Sequence, residues 1–486
     1  MSDAAARTIA GSAFWSYAGT IVERIVRFGV FVVIARLVTP AEFGVVTLAA
    51  IVTALIQDLL DAGIARALVR QREVDDRLFD TAFWSANALG ALLSLAILLV
   101  AWGFADVMRP AALAPVLAAL AVMPLIATAG SIHAARLTRE MGFKALSVRL
   151  IAASLLSGAL GVALAYHGWG AWALVLRMLA YQSLQTATLW IACRWRPRPF
   201  VAPALLRPLL PDSLRLMGSS ALNQLNARGF DLVAGILLGA VAIATFRVAG
   251  QTVMLAVELT AGPISAVAFA ALARQRDDPA RAAETFLLLA RISAMLIFPV
   301  FFGLAAVSDL LFPLMFGDQW GEAVRIMPLL CLMSLPIHFQ IMLLAALYAA
   351  GRTDRMLHWQ LAQGVATLAS MVLGAPFGLM GVAVAASVHM YLLLPYGVRL
   401  MRRDSATDPR LLARATWPHL VVAAIMGVTV LLARHLLAGV LPPPALLAAC
   451  VASGVAVWAL FLPATAPDLL VQARDALNMR RRRAKR

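Results

Sequence analysis

The sequence predicts an all-α integral membrane protein with fourteen transmembrane helices: two six-helix lobes around a central cavity, followed by two C-terminal helices. Three observations predict it. Of 486 residues, 62% are hydrophobic and only 14% charged, against about 25% charged in soluble chains. The apolar residues gather into runs of membrane-spanning length. The basic residues fall almost entirely into every second connection between those runs.

Taken in order, the runs lie near 13–35, 43–60, 82–104, 111–132, 147–167, 170–193, 214–238, 244–262, 284–307, 323–349, 356–376, 380–399, 416–438 and 444–462. Each approaches or exceeds the roughly 20 residues that a helix needs to cross a bilayer. Gly and Pro punctuate the boundaries, as in Thr39-Pro40, Gly168-Trp169-Gly170, Arg196-Pro197-Arg198-Pro199 and Leu441-Pro442-Pro443-Pro444. Period-2 alternation is absent, which disfavours a barrel. The first residues lack the basic start and cleavage site of a signal peptide, so the first run is expected to be retained. The cysteines Cys193, Cys331 and Cys450 are odd in number and imply no disulfide framework.

An even number of spans puts both termini on one side. Connections on that side carry 31 basic residues, and the opposite loops carry only Arg36, Arg109 and Arg434. Positive charge stays in the cytoplasm, so both termini are expected there, in a bacterial inner membrane. Of the net charge of +16, +15 lies in these cytoplasmic segments. A basic chain otherwise suggests a nucleic-acid partner, but here orientation accounts for the charge and no such partner is expected. The tail Arg480-Arg481-Arg482-Arg483-Ala484-Lys485-Arg486 is an inside anchor suited to anionic lipid.

Two long basic connectors, 194–215 and 399–415, divide the spans into six, six and two. The expected organisation is an N-lobe over 1–200, a C-lobe over 201–400, a helix pair over 401–463 and a basic tail over 464–486. Residues 34–49 and 234–249 share one layout, a helix end, a short outer loop and a new helix. Such repeats are common in transporters, whose substrate site lies between the halves.

Seven arginines lie inside the apolar runs. At 1.5 Å per residue, Arg24 and Arg27 lie about 16–21 Å into the first span and Arg228 about 21 Å into the seventh. Arg247, Arg291 and Arg325 are within about two turns of a span end and can snorkel to water, while Arg177 is intermediate. Glu23, Arg24 and Arg27 share one side of a helix; Gln224, Arg228 and Asp231 form a stripe on the seventh span, and Arg247, Gln251 and Glu258 another on the eighth. Three polar stripes suggest a wet cavity. Internal ion pairs Glu23–Arg27 and Arg228–Asp231 would explain part of this without a ligand. Three deep arginines against two acids leave positive charge over, and a guanidinium fork suits phosphate. Arg24, Arg27 and Arg228 are therefore the candidate diphosphate ligands. Asp231, Glu23 and Glu258 are the candidate carboxylates for coupling to H⁺ or Na⁺. Asp58 and Asp61, ending the second span, read as interfacial caps. The seven histidines show no metal-ligand spacing, and no nucleotide loop, nucleophile elbow or carboxylate pair appears. Neither a metal nor a cofactor is expected, nor is an enzyme.

Six stretches carry a family resemblance: 34–48 (IARLVTPAEFGVVTL), 58–71 (DLLDAGIARALVRQ), 81–90 (TAFWSANALG), 135–144 (ARLTREMGFK), 262–278 (GPISAVAFAALARQRDD) and 312–331 (FPLMFGDQWGEAVRIMPLLC). In order and spacing, the chain resembles the lipid-linked oligosaccharide flippases of the polysaccharide transporter family, of the colanic-acid and xanthan type. These belong to the multidrug/oligosaccharidyl-lipid/polysaccharide exporter superfamily. The resemblance implies fourteen spans, a cationic cavity between two lobes and movement of undecaprenyl-diphosphate-linked repeat units to the periplasmic leaflet. Polysaccharide polymerase and assembly proteins are the implied partners. By position, the family's cavity arginines map to Arg24, Arg27 and Arg228. One departure is Ala244-Thr245-Phe246, where relatives usually show a Gly-x-Tyr turn. Three rival functions stay open: a multidrug or cation antiporter, whose cavity should be acidic; a membrane glycosyltransferase or polymer ligase, which needs sizeable outer loops where the longest here is 308–322; and a non-transporting scaffold.

Overall fold

The computed structural model describes residues 22–71, 73–106, 110–140, 143–275, 278–404 and 408–465. Among them there are helices and no β-strand. In chain order they are α1 (22–37), α2 (Pro40–Leu60), α3 (Arg66–Arg70), α4 (Asp76–Gly103), α5 (Leu113–Leu120), α6 (Met123–Arg139), α7 (Phe143–Tyr166), α8 (Ala171–Ala192), α9 (Pro203–Leu206), α10 (Leu210–Leu238), α11 (Ala240–Arg274), α12 (Pro279–Phe316), α13 (Gly321–Cys331), α14 (Ser334–Ala349), α15 (Thr353–Gly374), α16 (Gly378–Asp404), α17 (Pro409–Leu437) and α18 (Pro443–Thr465).

Among the described residues, nine helical stretches are long and apolar enough to cross a membrane, and a tenth if α13 and α14, bent by 47°, form one broken span. The other expected spans do not pass this test as separate helices, each for its own reason. The first is described only from residue 22. α8 and α10 have the length, but Arg177, Gln182 and Gln185 on the one and Gln224, Arg228 and Asp231 on the other lower their hydropathy. α15 and α16 qualify as one stretch, Asp354–Arg403, although a turn at Ala375–Phe377 separates them. The basic tail and Asp61's side chain lie outside the described residues.

The helix starts are legible in the sequence. Thr39-Pro40-Ala41-Glu42 is a capping box: the Glu42 carboxylate accepts from Thr39 N at 3.1 Å, and Thr39 Oγ1 accepts from Glu42 N at 3.4 Å. Pro40 opens α2, where its missing N–H costs nothing. Asp75, Asp278 and Asp408 cap α4, α12 and α17 by accepting from Leu78 N, Arg281 N and Arg410 N. Side chains facing away from the neighbours are apolar: on α4, Leu92, Leu95, Leu99 and Trp102 are all more than half exposed. Exposed leucine and tryptophan on this scale suit lipid, not water.

By its contacts the chain divides into two compact units, Met1–Arg247 and Val248–Arg486. The first holds both copies of the repeated layout: α1 meets α2 across residues 38–39, and α10 meets α11 across Gly239. Here α2 and the start of α11 touch backbone to backbone, because a methyl at Gly44 would overlap the Ala240 carbonyl. The basic connector after α8 is fastened to α4. Trp84 Nε1 donates to the Arg198 carbonyl at 2.7 Å, Arg198 N donates to Asp80 Oδ1 at 3.0 Å, and Ala202 N to Thr81 Oγ1 at 3.2 Å. Trp195 enters the aromatic cluster of Phe79, Phe83 and His133.

In the second unit α12 runs unbroken to Phe316 despite Pro299 and Pro313. Most of the expected outer loop 308–322 is therefore helix, and the turn proper is Gly317 with a short 3₁₀ segment that buries Trp320. Apolar Leu310–Phe316 continues the helix pattern, which a charge-based reading of Asp309 and Asp318 overlooked.

Candidate cationic site in the first unit

Three groups of polar side chains in the first unit bear on a binding site. On α1, Glu23 is only 6% exposed. Arg27 lies one turn below it, with Nε 3.7 Å from Glu23 Oε1, and Tyr181 of α8 donates its hydroxyl to the same oxygen at 3.4 Å. Arg177 precedes Tyr181 by one turn. Its stem passes over Gly161 of α7, where a methyl would meet it at 2.8 Å, and its Nε is buried with no hydrogen-bond partner among the described residues. Arg24 is half-buried on the same helix as Glu23 and Arg27.

The second group joins α2, α10 and α11. Arg228 Nη2 lies 3.6 Å from Asp58 Oδ2, and its Nε donates to Gln224 Oε1 at 3.0 Å. Asp231 pairs instead with Arg247 of α11. Two sequence expectations change. The carboxylate facing Arg228 is Asp58, read as an interfacial cap, and Asp231 belongs to Arg247, read as a snorkelling residue. A stripe on one helix shows which residues share a face; it does not show which neighbour supplies the counter-charge. Asn223 and Asn226 have side chains outside the described set. Glu258 lies in the second unit, half-buried on α11.

Among the described residues, these two groups hold five guanidiniums (Arg24, Arg27, Arg177, Arg228, Arg247) and three carboxylates (Glu23, Asp58, Asp231). The surplus is positive.

The third place is a cavity of about 820 Å³ lined by α3, α6, α7, α8 and Leu216 of α10. Its polar lining among the described residues is Arg66, Arg70, Arg149, Gln182, Gln185, Ser131, Thr138 and Thr186, with no carboxylate among them. The volume is within the usual range for small-molecule sites, roughly 300–1,000 Å³. The helix break after α2 positions two of these arginines. At Asp61–Ala65 the backbone widens into a π-turn, Gly63 leaves helical geometry at ψ −123°, and α3 restarts with Arg66 and Arg70 exposed. Such bulges cluster at functional sites. Arg139 of α6 braces the end of α3 through Leu68 O and Gln71 O.

Sequence reasoning counted Arg66, Arg70 and Arg149 as orientation charges and did not place them at a site. The available signal was on α8, where Arg177, Tyr181 and Gln185 recur at i, i+4 and i+8 within an apolar run.

Comparison with known proteins agrees with this architecture. The chain is 26% identical to the lipopolysaccharide biosynthesis protein WzxC of Escherichia coli (strain K12), over 68% of this chain and 67% of that one. It is 23% identical to the succinoglycan biosynthesis transport protein ExoT of Rhizobium meliloti (strain 1021), over 99% and 97%. The fold is similar to that of the lipid II flippase MurJ in its inward closed conformation, with a TM-score of 0.72 over 94% of this chain and 99% of that one at 13% identity. Residues 33–325, more than half of the sequence, match the family described as Polysaccharide biosynthesis protein. With its array of apolar spans, the chain is a multi-pass membrane protein that belongs to that family.

Proposed function

We propose that the chain is a flippase that carries undecaprenyl-diphosphate-linked oligosaccharide repeat units across the bacterial inner membrane, for exopolysaccharide or lipopolysaccharide synthesis. The single observation that carries this is the positive surplus among the described residues of the first unit, where four half-buried arginines and the exposed Arg27 accompany three carboxylates, and where a cavity has arginines and neutral groups for its polar lining. A guanidinium removed from water needs an anion, and a diphosphate offers several oxygens to bidentate forks. Likeness to biosynthesis and transport proteins for secreted polysaccharides, and to the fold of a lipid II flippase, points the same way.

In this scheme the diphosphate first meets Arg66, Arg70 and Arg149, and then Arg24, Arg27 and Arg228 at depth. The lipid tail stays in the bilayer while the glycan follows the wet interior. Fourteen spans with both termini in the cytoplasm give the basic connectors their side, and rocking of two lobes gives alternating access. Glu23, Asp231 and Glu258 are the carboxylates available for coupling to H⁺ or Na⁺, and a polysaccharide polymerase is the downstream partner. A multidrug antiporter would present its cationic substrates with a repulsive interior.

The test is genetic and chemical. Cells deleted for the gene should accumulate lipid-linked repeat units in the cytoplasmic leaflet and stop exporting polymer, and the wild-type chain should restore export. Normal export without the gene would refute the proposal.

A further inference from the structure

In the second unit α12 carries a break in its own hydrogen-bond ladder, and another helix fills it. Pro299 lies near the middle of this 38-residue helix. A proline has no backbone N–H, so the carbonyl four residues earlier, that of Met295, loses its helical donor. Inside a bilayer no water is at hand to replace it, and a freed carbonyl must find a donor on a neighbouring helix. The donor is Trp458 of α18, whose Nε1 lies 3.2 Å from the Met295 oxygen.

The break falls between two separate apolar cores. Before it, Phe286 and Leu289 of α12 share a cluster with Met342 of α14 and Leu412 of α17. Beyond it, Ala306 and Val307 share another with Val430 of α17 and Cys450 of α18. The two helices α12 and α17 therefore run side by side, in the same direction, through both cores. Just past the break they approach closely: a methyl on Gly303 would meet Met426 Cε at 3.4 Å, and one on Gly427 would meet Phe302 Cδ1 at 3.5 Å. Counting back equally along both helices from Gly303 and Met426 sets Met295 level with Pro418, the proline inside α17. Pro418 withholds an N–H from the Arg414 carbonyl in the same way. Both helices that tie the two cores together thus carry a broken turn, at adjoining levels. Across these levels runs α18, held beyond them by Leu446 and Cys450 and reaching back to Met295 with Trp458.

We propose that residues 295–299 are a hinge of the second unit and that the Trp458 indole latches it straight. With the indole on the Met295 carbonyl, α12 keeps its continuous form. When the indole lets go, α12 bends at Pro299, α17 follows at Pro418, and one core turns relative to the other with the packing inside each preserved. Interior prolines are where helices kink. A static brace would account for the hydrogen bond, but not for both connecting helices being broken where the cores part. The role in transport rests on the flippase scheme; the hinge rests on the second unit's geometry alone.

The experiment has two arms on the full chain. In the first, amide exchange over residues 296–303 is measured in lipid nanodiscs for wild type, Trp458→Phe, Pro299→Ala and the double variant. Phenylalanine keeps a ring and removes the donor, and alanine restores the N–H that the Met295 carbonyl lacks. Trp458→Phe should exchange about 5-fold faster, the equivalent of about 1 kcal/mol for one lost hydrogen bond, and Pro299→Ala should exchange more slowly than wild type. On the Pro299→Ala background, Trp458→Phe should have no effect. An unchanged rate in Trp458→Phe alone, or the same acceleration on the alanine background, overturns the latch. In the second arm the reconstituted proteins move a fluorescent polyprenyl-diphosphate lipid across vesicle membranes. Pro299→Ala should slow this at least about 5-fold, because each bend must now break the restored bond, while its thermal unfolding midpoint stays at or above that of wild type. Wild-type speed, or a lowered midpoint, overturns the hinge. A wild-type chain that moves no lipid refutes the flippase function, while the exchange arm still decides the latch.

Discussion

Neutralising Asp58 should pull stability and substrate affinity in opposite directions. Its Oδ2 is 3.6 Å from Arg228 Nη2, with side-chain exposures of 32% and 29%. At that distance two unit charges attract by about 4–5 kcal/mol for an effective dielectric near 20. Partial solvent access and the cost of desolvation reduce the net value to about 1–2 kcal/mol. Asp58→Asn and Arg228→Gln should therefore each destabilise the protein by that order, with a coupling energy near 1–2 kcal/mol in a double-mutant cycle. Equilibrium unfolding in mixed detergent micelles measures it. Binding should split the two variants. Asp58→Asn removes the anion that competes with substrate for Arg228, so a polyprenyl-diphosphate lipid should bind up to about 10-fold tighter, the equivalent of 1.4 kcal/mol, whereas Arg228→Gln should weaken it. Equal weakening by both variants would refute a ligand role for Arg228 and leave the pair as a structural clasp.

Three further outcomes follow from the first unit. Gly44→Ala should cost about 1–3 kcal/mol or more, since its methyl overlaps the backbone of Ala240; a thermal-unfolding midpoint unchanged from wild type would contradict the close approach of α2 and α11. Replacing Arg66, Arg70 and Arg149 together by Gln should lower pyrophosphate affinity at least about 10-fold, at roughly the value of one or two charged hydrogen bonds, in a titration of the purified protein, and unchanged affinity would remove the cavity from the pathway. Asp80→Ala should free Arg198 N and expose the connector, read as faster amide exchange over residues 194–202 with α8 unchanged; equal protection in both proteins would mean that Trp84, Thr81 and Trp195 hold the connector without Asp80.

The helical membrane class and most helix starts were legible, because they depend on local chemistry. Thr39-Pro40-Ala41-Glu42 encodes its own cap, and Gly168 and Gly170, at φ +78° and +51°, form the tight turn expected of Gly168-Trp169-Gly170. Glu42 occupies the space that a side chain at Gly170 would need. Pairings across helices were less accessible. The stripe Gln224, Arg228, Asp231 was visible, but α2 supplies Asp58 and α11 supplies Arg247, and helical periodicity says nothing about which helix lies opposite. The cavity arginines were hidden for another reason: Arg66, Arg70 and Arg149 flank apolar runs, where positive charge is also what sets orientation.

The most direct test of anion-driven translocation is a reconstitution. Purified protein is placed in vesicles with a fluorescent polyprenyl-diphosphate-linked oligosaccharide, and a membrane-impermeant quencher is added outside. Wild type should bring the inner-leaflet population within the quencher's reach, and the combined Arg24→Ala, Arg27→Ala and Arg228→Ala protein, folded and inserted at the same level, should leave it protected as in protein-free vesicles. Wild-type rates from the triple variant would contradict the central claim that these guanidiniums carry the diphosphate.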